Sequence, residues 1–217
     1  MDLLDLARGP ILQTAIYIFI LGTLWRLFGI FFLQKKPMLS APRRKVGIGA
    51  GFRMIISRSL TAPAFKESSK LPKVLGYTMH IGLFAVVFLF IPHIVFFKDM
   101  LGISWPGIPN SAIYFIGVVT IATALVLIVR RMTHPVLKQI SNFDDYFSWL
   151  VTILPVLTGL IMPIRFGVRY ETLLAIHILS VALLLVWLPF SKLAHAFLVF
   201  FSRGTEGMQF ERKGAQT

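Results

Sequence analysis

Apolar residues gather in five long runs along this chain, separated by short polar stretches and one long one. The first run covers residues 11–33, with Pro10 as a first-turn residue, and Lys35 and Lys36 stop it. It is too long, and wrongly flanked, for a cleaved signal peptide. The second run starts near Pro72 and ends before Lys98 and Asp99, and the third covers about residues 111–129 and is closed by Arg130 and Arg131. The fourth runs over about residues 146–164 and the fifth over about 172–201. A membrane-spanning helix needs ~20 mostly apolar residues, and each run supplies about that many. The pattern predicts an all-α polytopic membrane protein, a five-helix bundle. A single membrane domain takes residues 1–203, and a loose polar tail follows over 204–217. The long polar stretch, about 35–71, holds a short interfacial helix near residues 46–60.

Composition narrows the chemistry. Of 217 residues, 56% are hydrophobic and 14% charged, against about 25% charged in a typical soluble domain. That argues against a soluble enzyme, and 20 Phe argue against disorder. With no cysteine the chain offers no disulfide, no iron–sulfur ligand, no Cys-bound zinc and no attachment site for c-type haem. Histidines, carboxylates and bound cofactors remain.

Charge predicts orientation. The formal net charge is +13, and most of it lies on one side of a five-span topology. The 35–71 loop carries Lys35, Lys36, Arg43, Arg44, Lys45, Arg53, Arg58, Lys66 and Lys70, with Lys73 just beyond; Arg130, Arg131 and Lys138 join them, as do Arg203, Arg212 and Lys213 in the tail. The other side has only Arg8, Lys98, Arg165 and Arg169. The positive-inside rule then puts the N-terminus outside and the C-terminus in the cytoplasm. A nucleic-acid partner has no folded basic domain to bind, whereas a cytoplasmic protein partner fits the long inner loop.

Ionisable groups within a membrane are costly and mark functional sites. His134 falls in a loop and reads as solvated, but His80 and His93 sit on span two, and His177 and His195 on span five. His177 and His195 are 18 residues apart, five whole turns, which puts both on one helix face ~27 Å apart. With the two spans running in opposite senses, His80 lies at the depth of His195 and His93 near that of His177. Bis-imidazole ligation of two haems explains the arrangement economically. His93 is 13 residues from His80 and about 140° off its face on a straight helix. A kink or π-bulge at Pro92, whose missing N–H frees the Phe88 carbonyl, brings it inward. Met100 is the fallback ligand. Gly76 and Gly82 beside His80 leave room either for a porphyrin or for close helix packing. Arg130, Arg131 and Lys192 are placed to meet propionates at the inner site and Arg165 and Arg169 at the outer one, where Lys98 and Asp99 are further polar groups. Arg26, inside span one, either snorkels or meets a buried partner.

The run Leu188-Pro189-Phe190-Ser191-Lys192-Leu193-Ala194-His195, with His177 before it, resembles the last helix of the gamma subunit of respiratory nitrate reductase. His80-Ile81-Gly82-Leu83, Arg130-Arg131 and Gly159-Leu160 fit the same family. In those subunits the second histidine follows the first by ten residues; here that position is Phe90, and His93 stands one turn later. This and the long loop look more like the related membrane cytochromes of heterodisulfide-reductase-like and dissimilatory sulfur-metabolism complexes. The resemblance implies a di-haem b-type cytochrome of a prokaryotic inner membrane, with His80 and His195 on the inner haem and His93 and His177 on the outer one. It implies electron exchange between membrane quinone and a cytoplasmic iron–sulfur subunit, itself joined to a catalytic subunit, so that the chain is the quinone-reactive part of an oxidoreductase. Two other classes compete on the residues alone: a redox-silent membrane anchor, and a proton-coupled transporter subunit with histidine relays. The latter should carry inverted repeats, which the sequence lacks.

Overall fold

The computed structural model describes residues 2–32, 40–60 and 66–215, so Lys35 and Lys36, and the side chain of Lys66, lie outside the description. The described chain is helical, with one isolated bridge, between Phe90 and Ile108, outside the helices. Its helices are α1 (Leu3–Leu6), α2 (Leu12–Phe32), α3 (Ile48–Ser59), α4 (Lys66–Leu89), α5 (Ile91–Leu101), α6 (Asn110–Thr133), α7 (Pro135–Ile140), α8 (Phe143–Ile161), α9 (Tyr170–Trp187) and α10 (His195–Lys213). Five segments are long and apolar enough to cross a membrane: Leu3–Phe32, Ser69–Leu89, Asn110–Thr133, Phe143–Ile161 and Tyr170–Phe190. The protein is an all-α, multi-pass membrane protein.

Its packing is that of a bundle in lipid. Small residues fill the inside: Ala7, Ala15, Ala124, Ala175 and Ala182 are buried, with Thr120, Ser148 and Ser180. Large apolar side chains face out, among them Trp25 (73% exposed), Phe32 (72%) and Phe115 (70%). Lipid tails satisfy large apolar groups, so helices in a bilayer gain most by close approach through small ones. Gly82 of α4 shows it: a Cβ there would overlap Thr120 Oγ1 of α6, which assigns this glycine to helix packing. In sequence, α2 packs on α9, α9 on α8, α8 on α6, and α6 on α4.

Several boundaries differ from those the sequence predicts. Span one starts at Leu3, and Pro10 lies inside a π-helical stretch, Ala7–Ile11, that absorbs its missing N–H. Span four starts at Phe143, where Asn142 and Asp145 form a reciprocal capping box. The second run does not bend at Pro92; it breaks. Phe90 is extended (φ −77°, ψ 122°) and α5 begins anew after it. The fifth run also breaks: a 3-10 turn at Leu188–Phe190, extended Ser191 (φ −113°, ψ −177°) and a second 3-10 turn at Lys192–Ala194 separate α9 from α10. The tail beyond Arg203 is not loose. It continues α10 as far as Lys213, and α3 packs along it. Arg26 meets a partner, its Nε donating to the Pro189 carbonyl at 2.9 Å, an acceptor in the broken stretch.

Candidate functional site

The break at Phe90 aims His93. It ends α4 and leaves the carbonyls of its last turn without helical partners, and each of three finds another donor. Trp105 Nε1 donates to Phe88 O at 2.5 Å, Ile108 N to Leu89 O at 3.1 Å, and His93 Nδ1 to Val86 O at 2.9 Å. The Trp105–Ile108 loop thus secures the break, and His93, in the first turn of α5, is turned toward α9. There its ring lies parallel to that of His177, centres 6.1 Å apart and planes 5° from parallel.

His177 lies mid-helix, where no carbonyl is spare. Its Nδ1 instead meets Thr158 Oγ1 of α8 at 3.0 Å. The Thr158 hydroxyl proton is spent on Leu154 O (2.8 Å) or Pro155 O (3.1 Å), so its oxygen accepts from the ring. Gly159 leaves the space: a Cβ there would stand 3.4 Å from His177 Cε1.

At the basic end of the bundle His80 and His195 face one another, ring centres 6.0 Å apart and planes 69° apart. His80 Nδ1 donates to Gly76 O at 2.7 Å and His195 Nδ1 to Lys192 O at 2.8 Å. Gly76 has open space where a side chain would be. Both histidines are exposed in the bare protein, and α4 rests on α6 while α9 rests on α8 and α2.

These arrangements fit haem. In all four rings Nδ1 is a donor, which leaves the Nε2 lone pair for a metal and fixes its direction. A metal–imidazole bond is ~2.0 Å and each ring nitrogen stands ~1.1 Å from its ring centre, so two imidazoles trans on one metal hold their centres ~6.2 Å apart. The two pairs stand at 6.0 and 6.1 Å. Among the described residues no group of three or more His, Cys, Asp or Glu gathers. Each pair could hold a haem iron, whose porphyrin would supply the remaining ligands. Met100 is 46% exposed, and it is His93 that faces His177.

The basic residues distribute less simply. Arg131 is bound to Asp145 (3.0 Å) and Ser141 (2.9 Å), and Lys192 Nζ to Asp145 (2.5 Å) and Asn142 (3.3 Å). Both are committed to α8 and its approach. Arg130 is half-buried at the end of α6. At the opposite end Arg169 pairs with Glu171 at 3.5 Å, and Lys98 is exposed in the last turn of α5. His134 is exposed between α6 and α7. Thr158, Trp105 and the Asp144–Asp145 pair were not foreseen as parts of the site. Only the last carried a signal, since Asn142 followed three residues later by Asp145 marks a helix start.

No family model matches the chain, and no solved structure matches it. The chain is similar to a protein of Nitratidesulfovibrio vulgaris (strain Hildenborough) that bears only the name "Protein", with 30% identity over 137 residues. The match covers 63% of this chain and 60% of that relative's length.

Proposed function

We propose that this chain is a di-haem b-type cytochrome subunit that carries electrons between a membrane quinone pool and a cytoplasmic iron–sulfur subunit of a larger oxidoreductase. The observation that supports it is the doubled geometry: two cross-helix imidazole pairs at trans-ligand distance, every Nδ1 held by a hydrogen bond. Haem, when bound, supplies the one-electron chemistry. The chain's residues would bind and orient it: His80 and His195 one haem, His93 and His177 the other, with Arg130 as a propionate partner at the basic end and Lys98 at the far end for a propionate or a quinone oxygen. Its setting is a prokaryotic inner membrane, with the basic α3–α10 end in the cytoplasm as the positive-inside rule directs. That end offers the docking side for the iron–sulfur subunit and, through it, a catalytic subunit.

A reduced-minus-oxidised spectrum with a pyridine haemochrome count on the purified protein tests this. Two b-type haems per chain are expected. No haem, in material made with adequate haem supply, would leave the redox-silent anchor as the better reading.

A further inference from the structure

Two carboxylates open α8, and both reach the same residue outside it, Lys192. Asp145 binds the Lys192 ammonium. Asp144 accepts the Lys192 backbone N–H through Oδ2 at 3.0 Å, and its Oδ1 accepts from Ser148 Oγ at 2.7 Å. Ser148 in turn accepts from Trp187 Nε1 at 2.9 Å. Lys192 opens the second 3-10 turn of the broken stretch, and its own carbonyl takes the Nδ1–H of His195. A continuous line of hydrogen bonds therefore runs from Trp187, the last residue of α9, through Ser148 and Asp144 to the turn that presents His195.

The two aspartates differ in charge balance. Asp145 lies between two cations, Arg131 and Lys192, so the two aspartates and two cations together sum to zero. Asp144 takes its direct hydrogen bonds from neutral donors, an amide and a hydroxyl. A cap for one 3-10 turn needs no charge; a hydroxyl or amide oxygen would serve.

We propose that Asp144 is a positioning residue for the His80–His195 site: it holds the Ser191–Lys192 turn so that His195 faces His80, and its negative charge, balanced in the cluster by the second cation on Asp145, lowers the reduction potential of the metal bound there. Negative charge favours ferric over ferrous iron, so removing it raises that potential. This rests on the haem reading above.

The test is a potentiometric titration with EPR spectroscopy of the purified wild type, D144N and D144A. The wild type should titrate as two haems, and His195→Ala identifies the one at this site by its loss. D144N keeps an oxygen for the Lys192 N–H, so it should hold two haems with unchanged EPR signals while this potential alone moves up. D144A loses the cap as well and should also alter or diminish the EPR signal of the same haem. Both variants leaving both potentials and signals at wild-type values, or moving both haems alike, would overturn the proposal. A wild type with no haem would overturn the cytochrome reading as well, which is a different result from two haems indifferent to Asp144.

Discussion

Thr158 gives the sharpest quantitative prediction, because its oxygen is the acceptor held against His177 Nδ1. Thr158→Val keeps the shape and deletes that oxygen. The ring N–H is then stranded between α8 and α9, where an unsatisfied donor costs ~1–3 kcal/mol. At 1.4 kcal/mol per tenfold, haem at this site should bind about 5- to 150-fold more weakly, in line with the ~10–100-fold typical of losing an outer partner of a metal-bound histidine. The Pro155 carbonyl, which also bonds the His177 ring, and Ser180 Oγ, 3.1 Å from Thr158 Oγ1, are the substitute acceptors. T158V alone should fall toward the lower bound, and T158V/S180A toward the upper. The lost hydrogen bond also makes the imidazole a poorer donor to ferric iron, so the potential of this haem rises, by ~59 mV for each tenfold difference between the two oxidation states. Haem content during purification and a redox titration read both effects. Thr152→Val is the control, since Thr152 bonds only the Ser148 carbonyl of its own helix. If T158V keeps full haem content and both wild-type potentials, Thr158 does not hold His177 and the argument is wrong.

The two ring pairs differ in plane angle, 5° against 69°, so low-temperature EPR should show two distinct ferric low-spin signals: a rhombic one from the parallel pair and a strongly anisotropic, large-g one from the crossed pair. Two identical rhombic signals would contradict the crossed geometry. His93→Ala should lose one haem and abolish the rhombic signal, whereas Met100→Ala should lose neither; the reverse would make Met100 the ligand. Gly207→Ala should loosen α3 from α10, because the new Cβ would stand 2.5 Å from Ala50 O and 2.6 Å from Met54 Cβ, neither of them a flexible tip. Overpacking of this kind costs ~1–3 kcal/mol, so trypsin should cut after Arg53 and Arg58 about 5- to 150-fold faster, against no change in Gly49→Ala, which has open space.

The spans were legible because a bilayer demands long uninterrupted apolar runs, and little else in a protein produces five of them. The α3–α10 pair was half legible. The short helix near residues 46–60 was predicted, while the polar residues beyond 203 read as a loose tail. In the structure Gly51 of α3 sits against Gly204, and Gly207 of α10 against Ala50 and Met54, so glycines on both helices let them meet. For the histidines, depth was legible and aim was not. Five whole turns from His177 to His195 presume one straight helix, but residues 188–194 leave α-helical geometry. Pro92 pointed to a disturbance near His93, yet no local rule identifies Trp105 and Ile108, far along the chain, as the donors that make a full break affordable.

The four histidines share one requirement, an acceptor for Nδ1, and meet it in different ways. A metal-binding imidazole needs an acceptor at Nδ1, and a regular helix has already spent its carbonyls on its own ladder. His93 takes Val86 O, freed where α4 stops; His195 takes Lys192 O in a 3-10 turn outside regular helix. His80 shares Gly76 O, a carbonyl with a second lone pair and no side chain beside it. His177, mid-helix, has neither a break nor a glycine one turn back, and takes its acceptors from the neighbouring helix, Thr158 Oγ1 and the Pro155 carbonyl. Healing either break by replacing Pro92 or Pro189 with Ala would then do more than straighten a helix. It would move the acceptor away from its histidine's Nδ1–H, so the loss should appear at the haem of that break and not at the other. Equal loss at both sites would show that the prolines serve the bundle as a whole rather than their own ligands.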